Sequence, residues 1–239
     1  MGVRLLNFTA LKRLELQTIN AIRTQGVFGK LSSLQGAALK AQIVPKSSAP
    51  VDIHLSFTLP TRLREDGRNQ VERSFHVGCR AVSNGENITQ LSYSVLIGKD
   101  AAPSTTVARK FHFDFEPLTA RNVTESKPTF HLQMCGELSG HHTTYGYSED
   151  DIAHMLPAWS TPRIPSTPMS LALVLNWLFI EFGHENAVRS VRINPTWQSV
   201  VRQAERELLK PYFDSCAQFL GMAANSDLSF TAKHLYEEP

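Results

Sequence analysis

The sequence predicts an α+β fold in which an antiparallel sheet of about five strands carries N-terminal and C-terminal helices on one face. Two observations support this prediction. Apolar residues recur at helical spacing near both ends of the chain, and between residues 51 and 135 they alternate with polar residues. Such alternation is typical of antiparallel strands with one apolar and one polar face. The 239 residues are expected to form a single domain.

Residues 1–46 are expected to form a helical, basic arm. The apolar residues of its first helix share one stripe: Phe8, Leu11, Ile19 and Ile22. Glu15 interrupts that stripe, and Asn7 or Thr9 would cap the helix. A second, shorter helix is expected around residues 31–39. Residues 1–50 contain seven basic residues and one acidic residue, a charge asymmetry suited to phosphate or to an acidic partner.

Five strands are expected in the sheet region, residues 51–135. They are placed at residues 52–59, 74–81, 91–97, 110–116 and 129–135. The side chains expected to be buried together on the apolar face are Phe75, Val77, Phe111, Phe113, Phe115, Phe130 and Leu132. Because the apolar face of the sheet needs a second layer to cover it, the helices are expected to pack on this face.

The Asn84-Gly85 pair predicts a tight hairpin between the second and third of these strands. A strict two-residue loop at that pair would place Leu91 and Tyr93 on the polar face, because the side-chain period of a strand is two. One extra residue near Glu86 or Asn87 would restore the faces, so we expect a bulge or a longer loop there.

The C-terminal part of the chain is expected to be a proline-rich loop, residues 140–168, followed by helices in residues 169–222. Residues 169–182 are apolar almost all round, which predicts a buried helix too short to span a bilayer. Asn194-Pro195 reads as a helix cap followed by proline at the first helical position. Pro211 is expected to break or kink the helix that follows.

The alternation of side chains along the strands places four histidines on the polar face of the predicted sheet: His54, His76, His112 and His131. In the hairpin of residues 110–135, a register that pairs His112 with His131 brings both close to Asp114 and Gln133. A slip of two residues from that register does the same. These side chains are therefore expected to share one surface.

The candidate catalytic residues are His112, Asp114 and His131. Metal-free cleavage of RNA needs a base for the 2′-hydroxyl proton and an acid for the leaving oxygen, and histidine suits both roles. A carboxylate beside one imidazole would orient it. The candidate substrate-binding residues on the same face are His76, Arg80, Lys110 and Gln133. The predicted ligand is a nucleic acid or another phosphate compound, with RNA slightly preferred, and the same residues also suit binding without reaction.

Two alternatives use other residues. In the first, the protein is a non-enzymatic interaction subunit, and the proline-rich stretch with Trp159, Arg163 and Ile164 docks a protein partner. In the second, Asp114 with Glu125-Ser126-Lys127 resembles the pattern of metal-dependent nucleases. The polar setting of that tripeptide argues against the second alternative, and no cofactor or metal is expected.

The expected location is cytoplasmic, without membrane association. The three cysteines are far apart and suggest no disulfide framework, which fits a reducing compartment. The N-terminal residues contain no long apolar run ahead of a small-residue cleavage site, so no signal peptide is expected.

Overall fold

A seven-stranded antiparallel sheet forms the frame of the molecule. In this computed structural model, the residues described are 7–24, 38–42, 51–61, 71–98, 101, 107–115, 129–134 and 163–219. The strands lie side by side in chain order: β1 (Ala38–Gln42), β2 (Val51–Thr61), β3 (Val71–Asn84), β4 (Asn87–Gly98), β5 (Val107–Phe115), β6 (Phe130–Met134) and β7 (Arg163–Pro165).

Five α-helices accompany this sheet in the described part of the chain. They are α1 (Phe8–Thr24), α2 (Leu171–Glu181), α3 (Glu185–Arg192), α4 (Pro195–Ala204) and α5 (Lys210–Phe219). A π-helical turn, Glu205–Leu209, joins α4 to α5. Among the described residues, no helix is long and apolar enough to cross a membrane. The α+β prediction is confirmed, with more strands than expected.

The two additional strands lie at the edges of the described sheet. The prediction of a helix around residues 31–39, within a helical arm of residues 1–46, is wrong from Ala38 onward, because β1 begins there. Residues 31–37 lie outside the described residues. Every residue of β1 pairs with residues 52–56 of β2. A short isolated helix is marginal because its nucleation is unfavourable, whereas pairing attaches these residues to the sheet. β7 lies inside the stretch expected to be a loop and pairs with β6.

The predicted division into two faces is confirmed. Along β2, buried and half-buried residues alternate without interruption. The apolar side chains of β2–β5 pack against the helices, as in the edge-to-face contact between Phe111 and Trp177, whose ring centroids are 5.1 Å apart. Phe75, Val77, Phe111 and Phe113 are buried. Phe115, Phe130 and Leu132 are half-buried, because they lie toward the β7 edge of the sheet.

The β3–β4 hairpin contains the expected extra residue. Its turn is Gly85-Glu86, and Gly85 has φ +61°, which glycine adopts without steric cost. Val82 pairs with Gln90 but Ser83 pairs with Ile88, so Thr89 is the additional residue in β4. The bulge therefore lies slightly further along β4 than Glu86 or Asn87.

Side-chain caps fix where the helices begin. Asn7 caps α1, because its Oδ1 accepts a hydrogen bond from the Ala10 amide at 2.7 Å. The Asn194 Oδ1 atom accepts from the Thr196 amide at 2.9 Å and from the Trp197 amide at 3.2 Å, as the Asn-Pro pair predicts. The helix expected in residues 169–182 is confirmed as α2.

Pro211 does not end the C-terminal helix. The π-helical turn lies immediately before α5, and the Lys210 amide donates to the Glu205 carbonyl, five residues back. Proline lacks an amide hydrogen and its ring conflicts with a regular α-helical turn, so a wider turn lets the helix continue past it.

The close packing around Gly183 leads to a prediction. A Cβ atom there would lie 2.6 Å from the Phe179 carbonyl oxygen and would clash with Val188. We expect Gly183→Ala to lower the free energy of unfolding by about 1–3 kcal/mol in denaturant titrations. Asn186→Ala is the control, because Asn186 is exposed on α3, and it should change the free energy of unfolding by no more than about 0.5 kcal/mol. Equal stability of wild type and Gly183→Ala would contradict the packing described.

Candidate functional site

The register of β5 and β6 brings the predicted residues together. His112 lies opposite Gln133, and Asp114 lies opposite His131. This is the register slipped by two residues that the alternation allows. The Oδ2 atom of Asp114 lies 3.8 Å from Nε2 of His131, within ion-pair distance. The carboxylate and the imidazole therefore lie close together across two strands, at a separation longer than a hydrogen bond.

Arg80 lies on the same line of cross-strand neighbours as this pair. Successive pairings connect Asp52, Arg80, Ser92, Asp114 and His131 from β2 to β6, and we call this line the transverse row. Because neighbouring strands are about 4.8 Å apart, Arg80 on β3 is about 10 Å from Asp114 on β5. A cation and a carboxylate–imidazole pair thus lie along one line on the polar face.

His112 lies in the next line of the same face. Its neighbours are Ser94 on β4 and Gln133 on β6, and Gln133 in turn pairs with Arg163 on β7. His112 and His131 are diagonal neighbours across the β5–β6 ladder, which places their Cβ atoms about 7 Å apart. The two imidazoles are near each other but not directly opposed.

His76 and Lys110 occupy a third line, with Leu96 between them. The Nδ1 atom of His76 lies 2.9 Å from the Ser56 hydroxyl oxygen. Burial lowers the pKa of His76 from 6.5 to about 4, because the apolar surroundings disfavour the charged imidazole. His76 is therefore neutral near pH 7 and supplies no positive charge for a phosphate.

The polar face is buried at its centre. His131 is 0% exposed, His112 is 7% exposed and Lys110 is 3% exposed. Arg80 and Arg163 are exposed, and the Asp114 side chain retains 17% of its accessible surface. A ligand arriving from solvent would therefore meet the two arginines and the carboxylate before either imidazole. The alternation of side chains along a strand predicts which face of the sheet each side chain lies on. It does not predict whether that face is open to solvent.

Sequence reasoning missed a second carboxylate–imidazole pair. Asp52 and His54 are two residues apart on β2, so both side chains lie on the polar face. The Oδ1 atom of Asp52 lies 2.9 Å from Nε2 of His54. The Asp-x-His spacing within an alternating strand is the signal that predicts this pair.

The basic residues of α1 do not belong to this site. α1 packs on the apolar side of the sheet, through Phe8, Leu11 and other buried residues. The Lys12 ammonium lies 4.6 Å from the Phe8 ring centroid, and Arg13 pairs with Glu207 at 2.6 Å. The charge of this helix and the histidines are therefore separated by the sheet.

A metal site is not supported in the part of the chain that the structure describes. No three His, Cys, Asp or Glu side chains converge there closely enough to hold an ion. Glu125 and Lys127, which would complete the nuclease-like pattern with Asp114, lie outside the described residues, as does Trp159.

Comparison with known proteins gives no match: the chain matches no protein-family profile, no curated protein sequence and no solved structure. The functional argument therefore rests on the residues and geometry given above.

The burial of His131 predicts a large effect on stability. We expect His131→Ala to lower the free energy of unfolding by about 1–3 kcal/mol, because it removes a fully buried ring. Arg80→Ala, on the same transverse row but exposed, should change it by no more than about 0.5 kcal/mol. Denaturant unfolding followed by circular dichroism measures both. Similar effects of the two substitutions would contradict the difference in burial.

Proposed function

We propose that the protein binds a phosphodiester chain on the polar face of the sheet, with RNA slightly preferred over DNA, in a cytoplasmic setting. The observation that supports this proposal most directly is the arrangement of exposed and buried groups around Asp114 and His131. Arg80 and Arg163 lie on either side of this pair and are exposed, while His112 and His131, on the strands between them, are buried. Guanidinium groups recognise phosphate oxygens through paired hydrogen bonds.

The spacing of the two arginines favours an extended ligand. Arg80 is on β3 and Arg163 is on β7, four strands apart. At about 4.8 Å per strand, the two positions are separated by about 19 Å. A single phosphate contacts one of these positions, whereas an oligonucleotide spans both. The acidic side chains on the same face, Asp52 and Asp114, each lie close to a histidine nitrogen, at 2.9 Å and 3.8 Å.

Cleavage of the bound chain is the further step of the proposal. His131, oriented by Asp114, and His112 would act as general base and general acid on an RNA 2′-hydroxyl and its leaving oxygen. Because both imidazoles are buried, this step requires them to become accessible to the ligand. Binding is therefore the primary activity proposed, and catalysis is the dependent one.

Binding of labelled single-stranded RNA and DNA tests the proposal. We expect the double variant Arg80→Ala/Arg163→Ala to bind RNA at least about tenfold more weakly, because two phosphate contacts are lost. Its logarithmic salt slope should fall by about 0.7 for each lost contact. Arg189→Ala, an exposed arginine on α3, is the matched control and should bind like wild type. No binding by wild type, or equal loss in the control, would overturn the proposal.

The catalytic step has its own readout in the same assay. If wild type cleaves RNA, His112→Ala should reduce the cleavage rate by about 10²–10⁴-fold while binding persists. DNA should bind but not be cut, because it lacks the 2′-hydroxyl. Binding without cleavage would reject the catalytic step and retain the binding proposal.

A second candidate function, an interaction subunit, is favoured by an apolar patch at the β6–β7 edge. Met134 is 43% exposed and Ile164 is 45% exposed. Ile164 lies opposite Leu132, which is half-buried, and Met134 is the diagonal neighbour of Ile164 on the same face. Adjacent exposed apolar side chains are typical of protein contact surfaces. This patch lies on the helical side of the sheet, away from the histidines.

Affinity capture separates the two functions. A protein partner held through the patch should remain bound in about 0.5 M salt. Binding to phosphate groups through arginine should weaken strongly at that salt concentration. Met134→Ser/Ile164→Ser should release that partner and leave RNA binding unchanged. A partner retained equally by this variant would show that the patch is not the contact surface.

A further inference from the structure

The tip of the β3–β4 hairpin carries a chemically reactive dipeptide. Asn84 is the only asparagine in the 239-residue sequence that is followed by glycine. It is the last residue of β3, and both Asn84 and Gly85 are exposed. Glycine has no Cβ atom to hinder attack of its amide nitrogen on the preceding carboxamide. An electrophile and an unhindered nucleophile therefore lie in adjacent, accessible residues.

Neither reacting group is held by a hydrogen bond. Within the part of the chain that the structure describes, the Gly85 amide and the Asn84 carboxamide have no hydrogen-bond partner. What holds Asn84 is its backbone pairing with Asn87 across the turn. The chain at the hairpin tip is thus fixed by its strand register and not by the groups that would react.

Other asparagines of the described chain lack this combination. Asn186 on α3 is also exposed, but the amide that follows it, that of Ala187, donates to the His184 carbonyl oxygen at 2.9 Å. Asn87 is exposed as well, but it precedes Ile88, whose β-branched side chain is bulky and buried. Exposure, an unhindered nucleophile and an uncommitted amide coincide at Asn84.

We propose that Asn84 is a site of spontaneous deamidation, and that the contact between the hairpin tip and the start of α1 controls the rate. The Gly85 nitrogen attacks the Asn84 Cγ atom and a new C–N bond forms. The carboxamide nitrogen leaves as ammonia, taking up the proton of the Gly85 amide, and a cyclic imide remains. Water then opens one of the two imide C–N bonds. Opening at Cγ gives aspartate, and opening at the main-chain carbonyl carbon gives isoaspartate, in which the chain continues through Cγ.

The start of α1 holds the hairpin tip through Glu86. The Phe8 amide donates to the Glu86 carbonyl oxygen at 3.0 Å. The Thr9 amide donates to Glu86 Oε2 at 3.3 Å, and the Thr9 hydroxyl donates to Oε1 at 2.9 Å. Closing the imide ring requires rotation about the Asn84 Cα–C bond, which breaks the pairing of Asn84 with Asn87. Because the contacts from α1 oppose this local opening, they slow the reaction.

The isoaspartate product weakens the same contact. It adds one atom to the main chain immediately before the Gly85-Glu86 turn, so Glu86 no longer matches the positions of Phe8 and Thr9. The modification therefore loosens the start of α1. This inference is independent of the ligand proposed for the polar face, because the reaction requires only water.

Peptide mapping of the aged, full-length protein by mass spectrometry tests the site. After incubation in mildly alkaline buffer, the peptide that contains Asn84 should show the mass gain of an NH₂-to-OH exchange and should separate into aspartate and isoaspartate forms. The Asn186 peptide is the internal control and should convert at least about tenfold more slowly, since its following amide is hydrogen-bonded. No conversion at Asn84, or equal conversion at Asn186, would overturn the proposed site.

Thr9→Val tests the control by α1, because valine removes the hydroxyl group that binds Glu86 and keeps the branched shape. It should speed conversion of Asn84 by about two- to fivefold, the effect of one hydrogen bond on a local opening equilibrium. Thr9→Ser keeps the hydroxyl group and should react at the wild-type rate. In the modified wild type, the Phe8 and Thr9 amides should exchange hydrogen faster than before. An unchanged rate in Thr9→Val would overturn the control by α1.

Discussion

A one-residue bulge at Thr89 determines which side chains lie on the apolar face and which on the polar face in most of the sheet. Ahead of it Ser83 pairs with Ile88, and beyond it Val82 pairs with Gln90, so every later residue of β4 keeps the face that its polarity requires. Tyr93 then lies opposite Cys79 on the apolar face, within reach of Glu15. Without the bulge, the side-chain period of two would turn Tyr93 toward the polar face and bury Ser92 or Ser94 against the helices.

The assignment of side chains to the two faces of β4 determines the faces of the strands that pair after it. Tyr93 lies opposite Phe113, and Ser94 lies opposite His112, so β5 takes its two faces from β4. β6 takes its faces from β5 in the same way, which is how Asp114 comes to lie opposite His131. The core and the candidate site are therefore consequences of one register, on opposite sides of a single sheet.

Much of this arrangement could be predicted from the sequence because its determinants are local. Alternation assigned the faces of five strands, and the Asn194-Pro195 cap fixed the start of α4. The short strands β1 and β7 could not be predicted, since their stability comes from pairing with distant residues. Glu15 appears in the sequence as an interruption of an apolar stripe. Its hydrogen-bond partners are Tyr93 and Leu171, which no local pattern connects to it.

The composition of the polar face is itself an argument for a function there. Burying polar groups costs free energy compared with apolar groups of similar size, even when they find partners. Leu96 lies in this face between His76 and Lys110 and is 1% exposed, so the site accommodates an apolar side chain. A sheet required only to be stable would gain from apolar residues at the neighbouring positions as well. Proteins depart from such local preferences mainly at functional sites, and this face, bordered by Arg80, departs from them at His76, Lys110, His112 and His131.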